Sequence, residues 1–293
     1  MNERSILANR VGFFGILGNT LLFVIKIIVG IISNSRAMIA DSFNSAGDVF
    51  ASFMTWLGGR ISSVPNDNDH NFGHGKAEYI FSMLIGISMM IVAGKLFYDS
   101  IISLIKGNVV TYSLILIIIC IVTILVKIIL YFYCKFVFLK YDNLLVKSNM
   151  LDHRNDIVIT SFTLISIILS KYNIFWFDGI VSAFISIWIF LVGIKIFRES
   201  YDVLMDTAID NDAKKQILQT IKSYKEIKRI GEIYSIPVGY NYIVVFTIFV
   251  NGRMSTAMSH KLSDEMEKRI KKDNGRITDV FVHIEPFVKK KHK

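Results

Sequence analysis

The sequence predicts a polytopic α-helical membrane protein with six transmembrane helices, followed by a small C-terminal α+β domain of αββαβ order. Three observations carry that prediction. The chain of 293 residues is 53% hydrophobic with only 3 prolines, well outside the composition of a soluble domain. Six segments reach the length of about 20 residues needed to cross ~30 Å of hydrocarbon, near residues 11–33, 36–58, 79–101, 112–134, 150–170 and 176–197. From about residue 207 the character changes: this tail holds 17 of the 33 Lys and Arg residues and has no lipid-length apolar run. Residues 1–206 and 207–293 are therefore expected to form a membrane domain and a soluble domain.

The first, third, fourth and sixth segments are long Ile/Leu/Val/Phe runs that only a bilayer or a very large core would bury. The second and fifth contain acids and are less apolar. The run at residue 11 is too long for the core of a cleavable signal and is expected to be a first span. An even number of spans puts both termini on one side. Short loops on that side carry Arg4, Arg10, Arg60, Lys76, Lys135, Lys140, Lys147, Lys195 and Arg198, against Arg36, Lys106 and Lys171 on the other. The excess of positive charge places both termini in the cytoplasm. Cys120 and Cys134 lie in the fourth segment without CxxC spacing, so packing is expected rather than a disulfide or a thiolate metal site.

In the tail, periods of 3.6 and 2 predict a helix over 211–223, strands over 230–236 and 242–250 joined by a turn at Val238-Gly239, a helix over 255–272 and a strand over 278–284. The net charge of +9 suits cytoplasmic loops and a tail near anionic lipid. Basic residues are not interleaved with aromatics, so a nucleic-acid partner is not expected. Met254, Met258 and Met266 fit core and interface packing rather than soft-metal ligation.

Polar groups at membrane depth point to chemistry, because an ionisable side chain there costs roughly 2.5–3.5 kcal/mol on insertion scales and usually faces a cavity or the protein interior. The second segment contains "IADSFNSAGDVF". Asp41, Asn44, Ser45 and Asp48 fall at i, i+3, i+4 and i+7, on one helix face. The fifth contains "LDHRNDIV", with Asp152 and Asp156 one turn apart. Two such half-cages facing each other would build an oxygen site from Asn44, Asp48, Asp152 and Asp156, with Asp41, Ser45 and His153 as accessories. Converging carboxylates repel unless protons or a cation sit among them, so exchange between the two is expected. The competing reading is that the acids cap helices or form structural ion pairs with Arg154, Lys127 or Lys95. Two matching pairs on two separate spans favour the cage.

With these motifs, the loop "DNDHNFGHGKAE" and the small α+β tail, the chain resembles the cation diffusion facilitator family of divalent-metal/proton antiporters along essentially its whole length. The resemblance implies a homodimer in the plasma membrane, a ferredoxin-like cytoplasmic domain for regulation and dimerisation, alternating access, and proton-coupled efflux of a transition-metal ion through Asn44, Asp48, Asp152 and Asp156. The metal would be substrate; no cofactor is implied. Zinc-transporting relatives typically carry histidine at the position of Asp152, whereas His153 here is about 100° further around the helix. An all-oxygen set suits Mn²⁺, with Zn²⁺, Fe²⁺, Co²⁺ and Cd²⁺ as alternatives; a rotated helix presenting His153 with Asp156 would bring Zn²⁺ back. The resemblance also implies a second metal at Asp67, His70 and His74 in the loop. A tail site at His260, His283 and Glu285, and a charge interlock between Lys76 and Asp206, are further expectations. Asp178 reads as a dipole partner at the start of the sixth helix. Two readings from other classes keep the same ligands: a metal sensor without transport, and an intramembrane metalloenzyme. The second lacks an H-E-x-x-H helix, and flux through vesicles separates the first.

Overall fold

The computed structural model describes residues 3–32, 36–106, 113–172 and 176–287. Six long helices come first: α1 (Glu3–Ile32), α2 (Arg36–Ser62), α3 (Ala77–Lys106), α4 (Leu114–Tyr141), α5 (Leu144–Ser170) and α6 (Trp176–Leu204). Each has 27 to 30 residues, or about 40–45 Å at 1.5 Å per residue, so all are longer than the apolar segments that reveal them. Among the described residues, α1, α3, α4 and α6 are apolar enough over a sufficient length to cross a membrane. Helices α2 and α5 match them in length while carrying the acids. Large apolar side chains such as Ile129 and Phe136 are 68% and 69% exposed, as lipid-facing surfaces require.

Helices α1 and α2 approach closely through small residues, the packing mode expected where lipid supplies no hydrophobic driving force between helices. A Cβ on Gly12 would lie 2.4 Å from the Trp56 backbone nitrogen, so only glycine allows this crossing. Asn19 reinforces the crossing by donating from Nδ2 to the Asp48 carbonyl (3.2 Å) and to Ser52 Oγ (2.9 Å). Asn149 Nδ2 of α5 donates to Thr55 Oγ1 of α2 at 2.8 Å, which joins the two acid-bearing helices.

The start of α5 lies six residues before the apolar segment that predicts it, and local chemistry explains why. Asp142 adopts φ 43°, a left-handed conformation that ends α4, and Asn143 caps α5 by accepting the Val146 N–H at 3.1 Å. Glu78, 1% exposed, then receives the free Leu144 N–H (2.8 Å), Asn143 Nδ2 (3.2 Å) and both terminal nitrogens of Arg4 (2.5 and 2.7 Å). One buried carboxylate thus ties α1, α3 and the α4–α5 corner together.

The tail forms α7 (Asn211–Lys222), β1 (Arg229–Val238), β2 (Asn241–Val250), α8 (Thr256–Asp273) and β3 (Ile277–Pro286). The sheet order is β1-β2-β3, with β1 and β2 antiparallel and β2 and β3 parallel. Ile217 and Ile221 of α7 and Leu262, Met266 and Ile270 of α8 bury against Val244, Phe246 and Ile248 of β2, giving the expected small α+β domain. Of the three methionines, Met266 is core and Met254 packs at its edge, whereas Met258 is exposed.

Two compact units divide the chain, residues 1–66 with 77–201, and residues 67–76 with 202–293. Against the expected 1–206/207–293 division, the second unit takes in the loop at 67–76 and starts at 202. The reason is a backbone contact. Gly239, at φ +63°, turns the β1–β2 hairpin, and a Cβ on it would lie 2.9 Å from Gly75 Cα. Lys76 Nζ also pairs with Asp206 at 2.8 Å. Both partners are largely exposed, so the pair contributes under about 1 kcal/mol.

Glu78→Ala is expected to lower unfolding stability by roughly 3 kcal/mol, because it leaves the Arg4 charge and the α5 amide without their buried acceptor. Thermal unfolding of the purified protein in detergent measures this; an unchanged midpoint would show that the corner holds without it.

Candidate metal centre

The acids of α2 and α5 meet at a cavity of about 380 Å³ whose walls include Ser45, Asp48, Asp152, Asn155 and Asp156. Asp48 and Asp156 converge on one point, and that point is a cation. Lys127 Nζ, from α4, lies 2.7 Å from Asp48 Oδ2 and 2.5 Å from Asp156 Oδ2, with the lysine only 1% exposed. One cation therefore already touches both carboxylates. Ligand atoms of Asp152, His153 and Asp156 lie within 4.8 Å of one another.

Of the residues expected here, Asp48, Asp152, Asp156 and Ser45 line the cavity, and His153 joins the cluster on its α5 side. Asp41 and Asn44 lie on α2, but their side chains fall outside the described residues, as does that of Asp178 on α6. His153 is fully buried, with neither ring nitrogen bonded among the described residues; Asp152 Oδ2 is likewise buried without a partner. Unpaired buried polar atoms are costly, and a bound ion would satisfy them. Arg154, one of the expected ion-pair partners, instead stacks on Trp188 with its guanidinium carbon 4.6 Å from the ring centre. Lys127 is the partner that pairs, so the ion-pair reading and the cage reading describe the same place. Its sequence signal was a lone lysine inside "IVTILVKIILYF", an ionisable group at membrane depth.

In the loop, ligand atoms of Asp67, His70 and His74 lie within 4.8 Å of one another. The Asp67 carboxylate accepts the His70 and Asp69 amides at 2.7 and 3.0 Å and lies 3.5 Å from His70 Nδ1 and 3.6 Å from His74 Nε2. The His70 amide holds the Asp67 carboxyl below its ordinary range. The three side chains can supply one carboxylate and two imidazole ligands to a metal.

Comparison with known proteins adds a family. A model of the cation efflux transmembrane domain matches residues 12–205, and one of the cation efflux protein cytoplasmic domain matches residues 209–287. The chain belongs to the cation efflux family. It is 28% identical to the manganese efflux system protein MneP of Bacillus subtilis over 98% of both chains. The manganese efflux system protein MneS of the same organism is 28% identical over 92% of both. The magnetosome protein MamM of Paramagnetospirillum magneticum is 26% identical over 96% of this chain and 89% of that one. Membership of this cation diffusion facilitator family makes the chain a membrane-embedded metal-cation efflux transporter.

For this cation efflux protein the tail site does not assemble as expected. His260, 77% exposed, faces Asp264 one turn along α8 at 3.6 Å, while His283 pairs with Glu285 on β3 at 3.3 Å. Among the described residues no group of three ligands forms there. Alternation on a strand placed His283 and Glu285 together, but a helix residue has no register with them, and His260 points to its own neighbour. Cys120 and Cys134 are buried and form no disulfide among the described residues.

The Asp67 hydrogen bonds require the ionised carboxylate, and its folded-state pKa lies below the unfolded one. Their contribution is therefore full above the unfolded value and disappears as pH falls through the folded value. Amide exchange at His70, corrected for its intrinsic pH dependence, is expected to accelerate at that acid transition in the unaltered protein and to lack the transition in Asp67→Asn; a transition in both would assign it elsewhere.

Proposed function

We propose that the protein exports a divalent transition-metal ion, Mn²⁺ first among them, from the cytoplasm across the plasma membrane in exchange for protons. It would act as a homodimer with both termini cytoplasmic. The observation that carries this reading is the convergence of Asp48 and Asp156, from two different helices, on a single cation. Carboxylates brought together at low dielectric need a positive partner. Metal held by ionised Asp48, Asp152 and Asp156 on the cytoplasmic side would be released outward as protons replace it. Asn44 lowers the negative charge of the set while keeping an oxygen ligand, and oxygen-only ligation suits Mn²⁺. MneP and MneS, both manganese efflux system proteins, support the same ion.

A second reading, Zn²⁺, is favoured by the position of His153, buried with neither ring nitrogen bonded among the described residues and clustered with Asp152 and Asp156. Imidazole ligation favours Zn²⁺. The loop set Asp67, His70 and His74 would serve as an additional binding site, and the Lys76–Asp206 pair would fix that loop to the tail.

Transport of Mn²⁺, Zn²⁺, Fe²⁺, Co²⁺ and Cd²⁺ into inverted vesicles tests the reading. Asp48→Ala and Asp156→Ala are each expected to abolish transport, and collapsing the pH gradient at fixed metal is expected to stop it; full flux in either variant, or indifference to the gradient, contradicts the corresponding part. Asn44→Asp is expected to raise Zn²⁺ flux relative to Mn²⁺. His153→Ala is expected to spare Mn²⁺ flux; its loss would return histidine to the ligand set.

A further inference from the structure

Lys127, between Asp48 and Asp156, is a charged group that the exchange described so far does not use. Its ammonium sits 2.7 and 2.5 Å from Asp48 and Asp156, while divalent ions bind carboxylate oxygens at about 2.0–2.6 Å. An ion bonded to these same two oxygens would occupy almost the same point as Nζ. The ammonium and the metal exclude each other by volume, and by charge the exclusion is stronger still at low dielectric. With neither metal nor protons on them, these acids are more stable around an ammonium than as two unbalanced carboxylates.

The surroundings give the displaced ammonium somewhere to go. Thr123, one turn earlier on α4, lines the same cavity. Its Oγ1 is buried and bonds no donor among the described residues. A lysine side chain has four rotatable carbons and can swing to such an acceptor, off the acid pair, without moving its helix.

We infer that Lys127 is the built-in occupant of the unloaded metal site, a tethered cation that the metal must displace and that takes the metal's place when it leaves. The inference rests on the proposed location of the transport site between Asp48 and Asp156. Lys127 sets the affinity of that site by competition: each metal loaded displaces one ammonium from the acid pair, and each metal released lets it return. The return keeps the emptied Asp48–Asp156 pair around a positive charge.

Equilibrium dialysis of ⁵⁴Mn²⁺, and of Zn²⁺ in parallel, against the purified full chain in lipid discs tests the competition. Lys127→Gln and Lys127→Met are expected to bind metal about tenfold more tightly than the unaltered protein, a coupling of ordinary size for two exclusive occupants. A lysine that merely props the acids in place predicts the opposite, and equal or weaker binding in monodisperse variants would overturn the inference. Should neither variant fold, the unaltered protein supplies a second reading: amine-specific labelling of Lys127, followed by mass spectrometry, is expected to rise when Mn²⁺ or Zn²⁺ is added. Unchanged or reduced labelling would show that the ammonium is not displaced. Asp48→Ala and Asp156→Ala distinguish the two levels of the account, since full-strength metal binding in those variants would remove the site itself rather than the role of Lys127.

Discussion

A lysine ammonium held by two carboxylates, all three on different helices and all at membrane depth, is the interaction around which the membrane unit is arranged. None of these charges is tolerable there alone, because each would forfeit its hydration without compensation. Together they are, provided α2, α4 and α5 hold their side chains within hydrogen-bond distance. The rest of the helical unit accomplishes that. Gly12 lets α1 press against Trp56 of α2, Asn19 donates to the Asp48 carbonyl at 3.2 Å, and Asn149 bonds Thr55 at 2.8 Å, so the backbone carrying Asp48 is held from two sides.

The second buried charge group acts at a distance from the first. Glu78 collects Arg4, Asn143 and the Leu144 amide and thereby sets where α5 begins. Because side chains on a helix advance by about 100° per residue, the start and rotation of α5 decide whether Asp152 and Asp156 or His153 turns toward the cavity. The identity of the exported ion, if oxygen ligation decides it, depends on this corner as much as on the ligands themselves.

Much of this was legible in the sequence, and the parts that were not share a cause. Four of the six helices announce themselves by hydropathy and α2 and α5 do so more weakly because of their acids, while the tail elements fall within a residue or two of their periodicities. The helix ends do not: α5 starts at Leu144 and α4 runs on to Tyr141, because caps and a buried acceptor 66 residues away extend a helix past its apolar stretch. The pairing of Asp48 with Asp156 was readable from two matching one-turn spacings. Lys127 was one of three basic residues the sequence offered as ion-pair partners, but that it would bridge both acids was not readable, since its contacts span 79 and 29 residues. The loop triplet assembles because its three residues lie close together in one short loop, whereas His260, on α8, stays apart from the His283–Glu285 pair on β3 because helix and strand share no period.

The central claim is that Asp48 and Asp156 share one cation and that the exported metal and the Lys127 ammonium alternate in that role. A density map of the full chain in lipid discs, determined with and without saturating Mn²⁺, addresses it most directly. The account predicts ion density bonded to both carboxylates in the loaded protein, with the Lys127 side chain turned away from the point it holds in the unloaded one. Ion density elsewhere in the membrane unit, with Lys127 still between the two acids, would contradict it.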